Sequence, residues 1–318
     1  MSPPRVTVCV ATCNQRGFIA QCLRSVVEQH ADADLRLLVG DDASDDGTSQ
    51  IVAALADEYP GTILPLRRPR RVGAFANMRD LIACADGDFV ARMDGDDYWL
   101  PGKLQRQLDY LQAHADCAAV YTNAITVDAA GNRIGLFNDV GDARFDLAAM
   151  LRRGNFLNNS SVLFRASGRR AWLDVEVPQI DYRAHLWHAR HGHLAHLGEP
   201  LAAYRVATRG SMVAEMNDRV RALYWEAIQS VPRGAVADAD LAAGMADFMR
   251  KTAFHALRSG NASLVHEWLP RVMAASPVAR WRLLALLASS VARGAAGEAW
   301  GRLADAARGG GHAVLYRR

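Results

Sequence analysis

Three aspartates occupy four positions in the stretch Met93-Asp94-Gly95-Asp96-Asp97-Tyr98-Trp99, directly behind the apolar run FVARM at 89–93. Like charges at ~4 Å repel by about 4 kcal/mol per pair at an effective dielectric near 20. A divalent cation offsets that repulsion, and oxygen-only ligands suit Mg2+ or Mn2+. Magnesium is commonly held by one or two carboxylates together with substrate phosphates, so the implied partner is a diphosphate. A solvated Asp-Gly turn that caps the next helix is the plainer alternative.

A second acidic turn, GDDASDDGT, covers residues 40–48. Asp41 and Asp42 end an apolar run, and Ser44, Asp45 or Asp46 suits the cap of a following helix. A carboxylate here can accept hydrogen bonds from the imide or ribose of a nucleotide. Arg67, Arg68, Arg70 and Arg71 form a third feature, because arginine forks match phosphate geometry. A helix cap and a solvated basic face are the respective alternatives.

These turns need elements to hold them. RVTVCVAT at 5–12 reads as a buried strand, and Phe18, Ile19, Cys22, Leu23, Val26 and Val27 recur at helical spacing after it. LRLLV at 35–39 is a second strand, followed by a helix marked by Ile51, Val52, Leu55 and Tyr59. TILPL at 62–66 is a third strand, followed by a helix over about 74–85. The fourth strand, 88–93, ends at the aspartates. Pro101 suits the first turn of a helix carrying Leu104, Leu108 and Leu111. CAAVYTNAITV at 117–127 and SSVLFR at 160–165 add two more strands. Strand and helix alternate and the strands are continuously apolar, which predicts a parallel sheet covered on both faces. Such sheets bind ligands beyond the carboxyl ends of their strands. Neither G-x-G-x-x-G nor a P-loop occurs at the turns.

From about Met212 the chain is rich in Ala, Leu and Arg and reads as helical, with breaks at Pro232-Arg233-Gly234, Ser259-Gly260-Asn261 and Ser276-Pro277. The segment 276–310 suggests an amphipathic helix pair with arginines at its edges. It would lie on an anionic membrane surface, or cap the catalytic part or a second subunit. WRLLALLASSVA, the longest apolar stretch, is too short to span a bilayer.

Half of the 318 residues are hydrophobic, 22% are charged and the formal net charge is +3. That argues against a disordered tail and against a nucleic-acid partner. Lys103 and Lys251 are the only lysines. The odd set Cys9, Cys13, Cys22, Cys84 and Cys117 has no zinc or disulfide spacing, and with no secretory signal it implies a reduced, cytoplasmic setting.

Four segments in order resemble the family 2 glycosyltransferases. They are VTVCVATCNQRGFIAQCLRSVVEQ, LVGDDASDDGT, VGAFANMRDLIACADGDFVARMDGDDYW and QIDYRAHLWHARHGHLAHLGEPLAAYRV. The resemblance covers about residues 5–210. It implies an α/β fold of the GT-A (Rossmann-like) type, a mostly parallel sheet flanked by helices, with a C-terminal α-helical extension. The domain so implied spans 1–211, with nucleotide-sugar binding over about 1–100 and the acceptor side over about 101–211; an α-helical region spans 212–318.

Residue by residue, the resemblance places Thr12 and Asn14 near base and ribose, and Asp42 on the base with Asp41 beside it. Gly73 and Asn77 stand in the family's places. Ala76 replaces a common arginine, so Arg79 or the Arg67–Arg71 group would stand in. Asp94 and Gly95 lie at the nucleotide sugar, and Asp96, with Asp94, would hold Mn2+ or Mg2+. Asp181 stands where the general base stands, although the usual acid pair is reduced to Ile180-Asp181. Asn158, Asn159 and Ser160 would face the acceptor, as would Tyr204 and Arg205, after which Val206-Ala207 replace a common histidine. His185, His188, His191, His193 and His196 read as a helix face and its exit rather than a metal site.

The implied activity is hexosyltransferase-like: inverting, metal-dependent transfer from a nucleotide-diphosphate sugar, foremost a UDP-sugar, to a hydroxyl of a sugar or lipid-linked sugar. The implied setting is cell-surface polysaccharide or glycolipid assembly, in the cytoplasm or on the inner face of the membrane. The Q-x-x-R-W signature of processive synthases is absent, which favours single additions. Two alternatives remain. A nucleotidyltransferase would carry a Gly-rich, lysine-bearing loop where ATCNQRGF stands. A non-catalytic nucleotide-sugar module would keep both acidic turns but need no base at Asp181.

Overall fold

The structure of the chain is a computed structural model, and it describes residues 3–206, 218–307 and 313–316. The first half alternates β1 (Arg5–Thr12), α1 (Ile19–Val27), β2 (Asp34–Asp41), α2 (Thr48–Glu58), β3 (Ile63–Arg67), α3 (Ala74–Cys84) and β4 (Phe89–Asp94). Then follow β5 (Tyr98–Trp99), α4 (Lys103–Ala113), β6 (Cys117–Val127), β7 (Arg133–Asn138), β8 (Ala143–Phe145), α5 (Leu147–Arg153), β9 (Leu163–Arg165), α6 (Arg170–Leu173), α7 (Asp181–His191) and β10 (His193–Arg205). The C-terminal part is α8 (Asp218–Gln229), α9 (Asp238–Ser259), α10 (Ser263–Ala275), α11 (Arg280–Ala307) and β11 (Ala313–Tyr316).

The expected parallel sheet is β3-β2-β1-β4, with Thr12 opposite Asp41 and Ala11 opposite Asp94. Both acidic turns therefore leave the same edge of the sheet as the end of β1. Beyond β4 the pairing is mixed. β9 runs antiparallel to β4 and to the start of β6, and β7 runs antiparallel to the end of β6. β10 lies parallel along the other edge of β6.

Successive side chains of a strand point to opposite faces, and β1 feeds two cores accordingly. Val6, Val8 and Val10 pack with α1, α2 and α4. Cys9, on the other face, joins a cluster that includes α3 and α5–α7. Tyr224, Phe248, Trp268 and Leu283 enter that same cluster, so α8–α11 share their core with α5 and α7.

The expected helix breaks after α8, α9 and α10 are where the chain turns. The expected boundary at 211/212 lies outside the described residues. Within the segment 276–310, residues Arg280–Ala307 form one helix, α11, rather than a pair, and 308–310 lie outside the described residues. Gly294 does not break it: an interior glycine costs only about 1 kcal/mol against alanine, and here it sits close against Arg250. Strand β10 was not legible from its Ala-, His- and Pro-containing sequence. Its pairing with β6 shifts register at Pro200, where a proline is tolerated. All five cysteines are free.

Candidate active site

The aspartates at the end of β4 are not equivalent. Asp97 turns inward, and its Oδ1 accepts the Arg205 backbone N–H at 2.9 Å. Burial, and then the neighbouring Asp96 and Asp94 charges, push its carboxyl well above the ordinary carboxylate range. Asp94 stays partly exposed and accepts from the Arg92 guanidinium. Asp96 is also partly exposed at the turn. The crowding is thus relieved in two ways by the protein itself: one carboxyl favours its neutral form and another has a cation beside it.

Arg205 is the clamp beneath this turn. Its Nε donates to the Asp96 carbonyl at 3.0 Å, its Nη1 to the Asp128 carbonyl at 2.8 Å and its Nη2 to Gln21 Oε1 at 3.1 Å. It is 3% exposed and lies 4.4 Å over the Phe18 ring. This puts it under the acidic loop and not on an open acceptor surface. Tyr204 packs edge-on against Phe137. Gly95 is needed where it stands: a Cβ there would lie 2.5 Å from Gln15 Oε1 and 2.9 Å from Thr12 Cβ. Thr12 in turn donates to Gln15 Oε1 at 2.8 Å.

The second acidic turn is fully engaged with protein groups. Asp41 accepts the Ser44 N–H at 3.0 Å and the Ser49 hydroxyl. Asp42 accepts the N–H groups of Val72 and Gly73 at 2.7 and 2.9 Å. Its carboxylate therefore grips the loop before α3, and any ligand there shares it with that loop. The cap position of α2 belongs to Gly47, and Asp46 before it accepts the Thr48 N–H at 2.9 Å. Asn14 adopts a left-handed φ of 54°, which asparagine tolerates better than most residues. Its amide bonds Asp45 in both directions. Asn77 is buried, donates to the Gly40 carbonyl at 2.7 Å and so ties α3 to β2. Arg68 reaches its Oδ1 at 3.4 Å and pairs with Asp80 at 2.8 Å. Arg71 approaches Asp45 at 3.5 Å, while Arg67 and Arg70 are exposed and Arg79 is partly so.

Asp181 opens α7 as its first residue; the cap position belongs to Ile180. Its Oδ1 accepts Asn155 Nδ2 at 3.1 Å and the Tyr182 N–H at 2.9 Å. Oδ2 has no hydrogen bond to a described residue. Burial raises this carboxyl, while Arg92 and the two donors pull it down less strongly. A carboxylate so placed is a better proton acceptor than a solvated one.

Residues 154–161 connect the two acidic centres. Asn155 holds Asp181, and the Ser160 hydroxyl oxygen accepts the Asp94 N–H at 3.2 Å. Asn158 is buried with Oδ1 lacking a partner among the described residues, and Asn159 is partly exposed. Arg92 is a second connector. It touches Asp94, lies 5.4 Å from the centre of the Trp172 ring and acts electrostatically on Asp181. The only signal for it in the sequence is one charged residue inside an apolar strand. Asn155 gave no signal at all.

The histidines do not converge. His185 and His188 are buried against Tyr121 and Phe164, and burial pushes each down to about 3. His191 stacks on Trp187, His193 pairs with Asp116, and His196 meets Asn138 and the Gly141 carbonyl.

The family described as Glycosyl transferase family 2 matches residues 7–167. An uncharacterized protein of Mycobacterium tuberculosis is 30% identical over 281 residues, covering 88% of this chain and 77% of the relative. The amylovoran biosynthesis glycosyltransferase AmsE of Erwinia amylovora is 27% identical over 191 residues, covering 58% of this chain and 66% of the relative. Among solved structures, S. aureus TarS 1-349 in complex with UDP-GlcNAc aligns with a TM-score of 0.58 at 15% identity, over 82% of this chain and 89% of that one. That likeness is one of fold, and the fold is GT-A.

Proposed function

The chain belongs to glycosyltransferase family 2, and from that premise we propose a metal-dependent, inverting transfer of a sugar from a nucleotide-diphosphate sugar to an acceptor hydroxyl. One observation carries the reading. A partly buried carboxylate, Asp181, is coupled through residues 154–161 and Arg92 to the acidic end of β4.

The donor set fits a divalent cation. Asp94 and Asp96 offer oxygen ligands on a partly exposed turn, and their charges add to the burial that raises Asp97 beneath them. When bound, Mg2+ or Mn2+ supplies positive charge against the leaving diphosphate. The remaining work falls to the protein. Thr12, Asn14, Asp41, Asp42, Gly73, Asn77 and Arg79 build or border the nucleotide pocket, with Arg68 and Arg71 beside it. Gly95 lets Thr12 and Gln15 approach the acidic turn. Asp181 Oδ2 takes the proton of the acceptor hydroxyl as that oxygen attacks the anomeric carbon. A single base on the side away from the leaving group gives inversion. Asn158, Asn159 and Ser160 line the segment between the two centres and orient the acceptor.

The complex of TarS with UDP-GlcNAc favours a UDP-sugar donor, and the role named for AmsE favours polysaccharide assembly. Among the described residues no helix is long and apolar enough to cross a membrane. Contact with an anionic membrane surface is assigned to α11. Its Leu283 and Ser290 are buried in the core, while Trp281, Leu284 and Val291 are 66, 46 and 37% exposed. Arg280, Arg282 and Arg293 accompany them, with no acid between Glu267 and Glu298. A helix apolar on its outer side and flanked by arginines suits a lipid interface.

The test of the catalytic reading is Asp181→Asn. General-base catalysis contributes about 10²–10⁴-fold, so turnover should fall by that factor while calorimetry shows unchanged binding of the nucleotide sugar. Full turnover in this variant removes Asp181 from the role.

A further inference from the structure

We propose that the C-terminal helices hold the base of the transfer site in place: Tyr224 of α8 and Lys251 of α9 fix Asn155, and Asn155 fixes Asp181. This rests on the reading of Asp181 as base and extends it to residues 69 and more positions away from Asn155.

The chain of contacts is continuous. Tyr224 OH accepts the Asn155 backbone N–H at 3.0 Å. The Lys251 ammonium donates to the same oxygen at 2.8 Å. It also pairs with Asp247 at 3.0 Å, and Asp247 pairs with Arg250 at 2.6 Å. The Tyr224 ring stacks on Tyr182, the neighbour of Asp181, at 4.7 Å between centroids. Tyr182 donates its own hydroxyl to the Met150 carbonyl at 3.1 Å. Asn155 Nδ2 then completes the path to Asp181 Oδ1 at 3.1 Å.

Gly154 shows how tightly the two parts meet. It has a φ of 73°, and a Cβ there would lie 2.6 Å from each of Tyr224 OH, Lys251 Nζ and Asp247 Oδ2. The backbone before Asn155 therefore rests directly on the polar cluster of α8 and α9. Only a glycine tolerates both the conformation and the approach.

Lys251 is one of two lysines in a chain otherwise served by arginine. An ammonium is a compact charge with freely placed donors, whereas a guanidinium is a planar fork. The compact group can sit between a phenol oxygen and a carboxylate in so small a space. A buried ion pair is weak evidence for stability, because desolvation offsets much of the attraction. Its consequence here is geometric. With Oδ1 held by Asn155 and Tyr182, Oδ2 is the oxygen presented to the acceptor. Displacement of about 1 Å at such a group costs up to about 100-fold in rate. Tyr224 and Lys251 are positioning residues; neither touches the substrate.

The experiment is a double-mutant cycle on the full chain. Tyr224→Phe keeps the ring and its stacking on Tyr182 and removes only the oxygen. It should lower kcat about tenfold, the size of coupling found between residues sharing a hydrogen-bond network, with the KM for the nucleotide sugar unchanged. In the Asp181→Asn background the same substitution should change the residual kcat by less than about twofold, since no base remains to be positioned. Lys251→Met should behave as Tyr224→Phe does, and it replaces that variant if Tyr224→Phe fails to fold. Equal loss in both backgrounds would mean a general structural effect and would overturn the proposal, as would an unchanged kcat in the single variant. Failure of the underlying base reading is seen separately, as full turnover in Asp181→Asn alone.

Discussion

The Asp94 N–H donates to the Ser160 hydroxyl oxygen at 3.2 Å, so the strand that carries the acidic turn is bonded to the segment that reaches Asp181. Ser160 is buried, and its carbonyl also accepts the Trp99 indole N–H at 3.0 Å. Ser160→Ala keeps the carbonyl and leaves the Asp94 N–H unpaired. A buried donor without a partner costs about 1–3 kcal/mol. We expect thermal unfolding to show a loss in that range. Calorimetry should show weaker nucleotide-sugar binding, because Asp94 is no longer held.

Asp96→Ala removes the proposed principal cation ligand without touching the Arg205 clamp, which uses the Asp96 carbonyl. Titration with UDP-sugar should lose its dependence on Mn2+ in this variant. Arg205 should stay bonded and the fold intact by circular dichroism. Manganese-dependent binding that survives the substitution would exclude Asp96 as the ligand.

His185 and His188 make stability depend on pH. Their folded values of about 3 lie below the ordinary value near 6.5. Below about pH 6.5 the unfolded chain therefore binds more protons at these sites than the folded chain. Their contribution is fully present above that pH and is lost as pH falls toward 3. Each adds up to about 1.4 kcal/mol per pH unit to the slope, or about 2.7 for the pair. Asp97, raised in the fold, acts in the opposite sense as pH rises. Comparing denaturant unfolding of His185→Leu with the parent chain between pH 7 and pH 5 isolates the histidine. The variant should lose less stability over that interval.

Trp281, Leu284 and Val291 are exposed, so Ser at all three should leave the melting temperature nearly unchanged. The parent chain should sediment with phosphatidylglycerol vesicles and not with phosphatidylcholine vesicles; the triple variant should remain in solution. Concentration-dependent dimerisation that the triple variant abolishes, without any vesicle binding, would assign the stripe to a second copy of the chain.

Much of the donor half was legible because its determinants are local. Buried parallel strands are continuous apolar runs, and the helices between them carry a 3.6-residue apolar period. The turns that leave the strand ends are therefore located as soon as the strands are. Asp41, Asp42, Asp94 and Asp96 could be named on that basis. The same logic placed β6 and the helix breaks after α8, α9 and α10. It did not find β10, whose pairing is imposed by β6 and not by its own composition.

The partners of the site residues were not legible. Nothing in the acidic turns says that Asp97 faces inward, that Asp42 grips Val72 and Gly73, or that Arg92 stands between Asp94 and Asp181. Those facts depend on which face of a strand a side chain takes and on what the opposing helix brings to it.

The amino-acid sequence alone determined the alternation of β1 to β4 with the helices between them, the resemblance to the family and the residue types at those strand ends, since each follows from periodicity and short motifs. Only the tertiary structure decided that Tyr224 and Lys251 bear on Asn155. Hydrogen bonds between residues 69 positions apart are set by how helices pack into a shared core, and no local pattern records that distance.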